Sequence, residues 1–219
     1  CSNILFLNMT CAPDGKLAMQ FAQDDSALTL LIPGANDQGF AMPGSFSCME
    51  LLACLIFYAS SDEQKLAWVN QAVRMGRSVV AREEEITSWL ADDFERITYL
   101  GSGSLGAMTR EAQLKILELT AGKIATSFDS SMGYRHGPKS FVNEKTFVFV
   151  FVSNDTYTRQ YDLDILNEIA GDKIAQHVIA VQQHMNSCFD GESITFADED
   201  TTLPDAYVAL PFIMVAQTI

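Results

Sequence analysis

The run Thr146 to Val152, with Phe147-Val148-Phe149-Val150-Phe151 at its centre, shows no alternation between polar and apolar residues. A strand with one wet face carries a polar side chain at every second position, so this one must be covered on both faces. That is the condition of a central strand in a parallel sheet with helices packed above and below. Its neighbours fit the same plan: short apolar strands are expected at Ile97–Leu100, Ile124–Ser127, His177–Val181 and Ser193–Phe196. Helices are expected at Leu105–Thr120, Tyr161–Ile169 and Tyr207–Ile219. From about Arg96 onward the chain therefore reads as α/β, a doubly wound and mainly parallel sheet.

Upstream the pattern starts again. Apolar runs at residues 4–8 and 28–32 flank a Pro13-Asp14-Gly15 turn and a helical stretch, Lys16–Phe21; the loop Pro33–Gly39 and an apolar helix over Ser45–Tyr58 follow. Residues 1–60 thus read as the C-terminal part of a first α/β domain. Residues 61–95 read as a helical linker, with helices over Asp62–Met75 and Ser78–Ala91 divided at Gly76. Residues 96–219 read as a second, nearly complete domain. The chain enters an apolar strand almost at Cys1 and stops in an uncapped helix at Ile219, so both ends read as cuts in a longer polypeptide.

A formal net charge of −14 disfavours a nucleic-acid partner, which would need basic faces to displace phosphate counterions. It leaves room for one small phosphorylated ligand held by backbone N–H groups or hydroxyls. The longest apolar run, Leu51–Ala59, is about half of the ~18 residues that suggest a membrane span, and a soluble protein without membrane contact is expected. The cysteines (Cys1, Cys11, Cys48, Cys54 and Cys188) form no C-x-x-C pair, and no signal peptide opens the chain, which fits a reducing cytoplasm. Neither His177, expected in a strand core, nor His184, in the loop Gln182-Gln183-His184-Met185-Asn186, has metal-ligand spacing to another His or Cys. No metal is expected.

Gly101-Ser102-Gly103-Ser104-Leu105-Gly106 matches G-x-G-x-x-G between a strand and a helix, with Asp129 beyond it as a candidate ribose acid. Such a loop can hold a dinucleotide pyrophosphate, or its small residues can simply let a strand turn tightly into a helix. On the helix that follows, Leu105, Met108, Ala112, Ile116 and Leu119 form one apolar stripe. Beside it Glu111, Lys115 and Glu118 stand at i, i+4 and i+7, a line that by itself reads as a solvated face with weak ion pairs and that only further context can raise. Further on, Tyr134-Arg135-His136-Gly137-Pro138-Lys139 sets a histidine between two cations at a turn. His136 there can serve proton transfer or simply satisfy a nearby carbonyl.

Taken together, Glu111-Ala112-Gln113-Leu114-Lys115-Ile116-Leu117-Glu118 and His136-Gly137-Pro138-Lys139 resemble the E-x-x-L-K-x-x-E and H-G-P signature of sugar isomerase (SIS) domains. Gly39-Phe40-Ala41-Met42, Phe151–Asp155 with Tyr157-Thr158-Arg159, and Leu203-Pro204-Asp205-Ala206-Tyr207 extend the likeness over almost the whole chain. They are similar to the galactosamine-6-phosphate deaminase and tagatose-6-phosphate ketose-aldose isomerase family. The resemblance implies tandem SIS domains of flavodoxin-like fold, a dimer-based homo-oligomer, and aldose–ketose chemistry on a sugar phosphate without metal or organic cofactor.

By the same resemblance, Glu118 is the base moving a proton between C1 and C2, and His136 helps open the sugar ring. Glu111, Lys115, Arg135 and Lys139 line the substrate. The resemblance puts the phosphate-binding Ser/Thr loops in the first SIS domain, ahead of Cys1, and a further tail after Ile219. A carboxylate screened from water and an acid for the ring oxygen are what such an isomerisation requires, and a deaminase adds hydrolysis of the resulting imine. Two rivals stand beside this reading. One is a sugar-phosphate sensor of the same fold, which would need no base; the other is a dinucleotide-binding domain.

Overall fold

The computed structural model describes residues 4–185, 187–196 and 201–219, so the expectations at Cys1 and Asn186 fall outside it. The chain forms two units, one ending at Asp62 and one running Glu63–Ile219. In the first, β1 (Phe6–Thr10), α1 (Lys16–Gln20), β2 (Ala27–Leu31) and α2 (Pro43–Phe57) follow the expected strand–helix–strand–helix order. The strands pair in parallel, Phe6 opposite Ala27 and Thr10 opposite Leu31. Pro43 opens α2 without wasting an N–H, and the Asp37 carboxylate accepts from Gly44 N (3.2 Å) and Ser45 N (2.7 Å), satisfying orphan donors of the first turn.

The second unit opens with α3 (Asp62–Ala81), α4 (Glu83–Ile86) and a 3-10 turn over Thr87–Ala91. The break expected at Gly76 is absent. A Cβ there would lie 2.6 Å from Met214 Sδ, so the glycine admits a neighbouring helix instead of ending its own. The sheet and its cover follow as β3 (Arg96–Gly101), α5 (Gly103–Leu119), β4 (Ala125–Ser130), α6 (Ser131–Tyr134), β5 (Thr146–Phe151), α7 (Thr156–Asp172), β6 (His177–Gln182), β7 (Glu192–Thr195) and α8 (Asp205–Thr218). The strands are all parallel, in the order β4-β3-β5-β6-β7, the doubly wound plan expected from the sequence.

Every residue of β5 is buried, as its composition requires. Alternate side chains serve two cores. Leu100, Val148, Val150, Val152 and Ala180 pack with Tyr134 and with Leu163, Leu166 and Ile169 of α7. Tyr99, Phe149 and Phe151 point the other way, where Phe151 meets Phe212 of α8 at 5.8 Å and α5 lies along α8. The strand order moves outward from β3 to β4 and back across to β5. Right-handed crossovers in opposite directions put α5 on one face and α6 and α7 on the other. Each buried phenylalanine contributes roughly 1.5–3 kcal/mol.

Three local expectations change. Leu119 is 63% exposed, because a helix of seventeen residues, about 25 Å, outruns a six-residue strand of about 20 Å and its last turn passes the sheet edge. Helix α7 starts at Thr156, five residues before the expected Tyr161, since Asp155 caps it by accepting from Thr158 N at 2.8 Å. His177 begins β6 but does not enter the core: its ring bonds Asp92 Oδ2 and Glu192 Oε2, each at 2.8 Å. No helix among the described residues is long and apolar enough to cross a membrane.

Candidate active site

In a doubly wound sheet, ligands gather at the carboxyl ends of the strands where the order reverses, here between β3 and β5. That crevice is filled by the chain's own carboxylate. Asp162, fully buried on α7, accepts from Ser102 Oγ (2.6 Å), Ser153 N (2.9 Å) and Ser131 Oγ. Burial raises the Asp162 pKa above the ordinary aspartate value, against the pull of those donors, and neighbouring Asp205 raises it further. Asp205 in turn takes Ser153 Oγ (2.5 Å) and Asn154 N (2.8 Å). The Ser102, Ser131 and Ser153 hydroxyls at this end of the sheet are thus spent on two aspartates.

The glycine loop itself is a packing device. A Cβ on Gly106 would sit 2.9 Å from the Gly101 carbonyl oxygen, and one on Gly101 would sit 3.0 Å from the Leu105 backbone. The strand can turn into α5 only because neither has one.

Three turns down α5, Lys115 is buried at 5% exposure and its ammonium lies 2.9 Å from Glu111 Oε1 and 3.4 Å from Glu118 Oε2. The spacing at i−4 and i+3 puts all three on one side of the helix. A solvated ion-pair line leaves its lysine exposed; this one is covered, and both carboxylates are half-buried with it. A buried ammonium needs its partners, so the pairing fixes where Glu118 holds its carboxylate.

The histidine turn follows β4 on the other side of the sheet. Tyr134, the last residue of α6, is fully buried, its hydroxyl 3.3 Å from Thr98 Oγ1, and Thr98 also meets Ser127 Oγ at 2.7 Å. Arg135 Nε stands 3.0 Å from Glu168 Oε2; the angle falls short of a hydrogen bond, leaving an ion pair. Lys139 Nζ donates to Glu168 Oε1 (2.6 Å) and Asp172 Oδ2 (2.9 Å), contacts that raise its pKa. Between them His136 is exposed, and its ring makes no hydrogen bond or ion pair among the described residues. Gly137 takes φ +142°, open to glycine but strained for other residues, and Pro138 starts a 3-10 turn to Phe141.

The six residues singled out in the sequence therefore form two groups. Glu111, Lys115 and Glu118 lie on α5, on the face shared with α8. Arg135 and Lys139 are tied to α7 on the opposite face, with His136 between them on the same turn. Within one chain the sheet separates Glu118 from His136. Sequence reasoning missed Asp162, Glu168 and Asp172, most of whose partners lie about thirty or more residues away. Among the described residues no group of three or more His, Cys, Asp or Glu could hold a metal ion.

No protein-family model matches the chain. Over 97% of its length it is 39% identical to the D-galactosamine-6-phosphate deaminase AgaS of Escherichia coli, and it spans 56% of that protein. The structure superposes on the tagatose-6-phosphate ketose/aldose isomerase of Escherichia coli with a TM-score of 0.88 and 36% identity. That match covers 98% of this chain and 59% of the other. The C-terminal domain of glucosamine-fructose-6-phosphate aminotransferase from Francisella tularensis shares the fold, at a TM-score of 0.60 and 16% identity over 98% of this chain and 68% of that one.

Proposed function

We propose that this chain, which belongs to the SIS-domain family of D-galactosamine-6-phosphate deaminases and tagatose-6-phosphate ketose/aldose isomerases, carries the proton-transfer groups of a phosphosugar isomerase that also deaminates an amino sugar. Glu118 is the base. It takes the C2 proton of an open-chain aldose phosphate, leaving an enediolate, and returns it to C1 while the O2 proton passes to O1, giving the ketose. With an amine at C2 the same transfer gives a C2 imine; water adds to it, ammonia leaves, and the ketose phosphate remains. His136 moves the proton that opens and closes the sugar ring.

The observation that carries this reading is the buried Lys115 held between Glu111 and Glu118, because a base must be fixed within a fraction of an ångström of the carbon it serves. Since Glu118 and His136 occupy opposite faces of one sheet, His136 serves the site of a second copy of the chain. The crevice filled by Asp162 supports a phosphate contact elsewhere than the carboxyl end of this sheet. The test is to supply the intact protein with galactosamine 6-phosphate and measure ammonia and ketose separately. Ketose with equal ammonia supports deamination, interconversion of tagatose 6-phosphate with an aldose and no ammonia from the amino sugar supports simple isomerisation, and neither product refutes both.

A further inference from the structure

The turn that carries His136 is poorly supported by packing. Between it and α7 lies an open cavity of about 330 Å³, lined by Arg135, Gly137, Lys139, Ser140, Ile169 and Asp172. Upstream the turn is pinned by buried Tyr134, and downstream by Arg96 Nη1, which donates to the Phe141 carbonyl at 2.6 Å. Across the middle the turn holds itself locally, Ser140 N (3.0 Å) and Oγ (2.8 Å) donating to the Gly137 carbonyl, and its side chains reach α7 through charge. One carboxylate, Glu168, spans the turn, with Oε2 3.0 Å from Arg135 Nε and Oε1 2.6 Å from Lys139 Nζ, so it holds the residues on either side of His136-Gly137-Pro138.

We propose that Glu168 is a positioning residue for His136, an inference that rests on the role given to that histidine above. A single surface ion pair is worth little, but a carboxylate that joins two points of one loop removes freedom from everything between them. Here that segment is the exposed imidazole, a glycine at φ +142° and a proline. Asp172 holds Lys139 alone at 2.9 Å and cannot replace the link to Arg135. Arg135 and Lys139 then act by orienting the turn, their charges already matched by α7.

The experiment compares Glu168→Gln, His136→Asn and the double variant in the intact protein, with thermal melting to confirm folding. Glu168→Gln is expected to lower kcat on the order of tenfold to a hundredfold while KM stays within about twofold, because a misplaced group costs rate more than binding. Added to His136→Asn, it is expected to change nothing further. If the two losses multiply, Glu168 acts elsewhere and the inference fails; a full-rate Glu168→Gln beside a crippled His136→Asn also overturns it alone. A fully active His136→Asn overturns the parent reading and this inference with it. Should Glu168→Gln not fold, Arg135→Gln with Lys139→Gln opens the clasp from the other side and must give the same pattern.

Discussion

Glu118 and His136 stand on opposite faces of a five-stranded sheet, the glutamate on α5 beside α8 and the histidine on a turn tied to α7. If both serve one reaction, each active site draws on two chains. Intact Glu118→Gln and His136→Asn proteins, each nearly inactive, should therefore regain activity when their subunits exchange. In a mixed dimer one site collects both lesions and the other none, so random mixing gives roughly a quarter of wild-type activity for independent sites. Activity no higher than the mean of the parents, after exchange is verified by native mass spectrometry, would dispose of the shared site.

Glu118→Gln alone should leave substrate affinity nearly unchanged, since the amide keeps the shape, and should slow exchange of the C2 proton about a hundredfold or more by removing the base. Deuterium wash-in measures it. Exchange within about tenfold of wild type would return the Glu111–Lys115–Glu118 line to a structural role.

Asp162→Ala should cost stability on the order of 2–4 kcal/mol, because it leaves the Ser102 and Ser131 hydroxyls and the Ser153 N–H without their acceptor in a buried crevice. Urea unfolding gives the value. A loss under about 0.5 kcal/mol would mean that water reaches these donors and the crevice is open to a ligand.

Gly106→Ala discriminates the two readings of the glycine loop without any ligand. In an ordinary exposed helix the change would stabilise by about 1 kcal/mol. Here the new Cβ would meet a backbone carbonyl at 2.9 Å, so a net loss of about 1–3 kcal/mol is expected from denaturant melts. A gain in stability would show that the turn has slack, and that something other than close packing accounts for the glycine.

What the sequence disclosed was whatever one segment decides for itself. Phe147–Val152 could only be a doubly covered strand, and the stripe on α5 named its sheet-facing side correctly through Ile116. It erred where a second segment decides. Gly76 looked like a helix end because Met214 lies far away in sequence, and Leu119 looked buried because the sheet's reach is not written in the helix. The candidate site divides the same way. Glu111, Lys115 and Glu118 share one helix and their spacing is legible, whereas Lys115's burial depends on what covers it. Nothing near Arg135 or Lys139 points to Glu168, and the plug of the switch-point crevice takes donors from three separate segments.

His177 supplies a pH dependence whose sign follows from its surroundings. Burial lowers its pKa, but the bonds to Asp92 and Glu192 outweigh that, and the folded value lies above the ordinary 6.5. The charged groups facing the ring are those two carboxylates; Glu192 is further held by Trp89 Nε1 at 2.9 Å, and the Phe147 ring meets the imidazole edge-on at 4.8 Å. A histidine raised on folding binds its proton more tightly in the folded chain, so its contribution is complete below the unfolded pKa and is lost as pH rises through the folded one. His177→Gln cannot titrate. The stability gap between wild type and His177→Gln should accordingly be wider at pH 5.5 than at pH 8.5. Denaturant midpoints at the two pH values measure the gap. An equal gap at both would mean that the imidazole binds its two carboxylates as a neutral ring, and a wider one at pH 8.5 would reverse the sign of the shift.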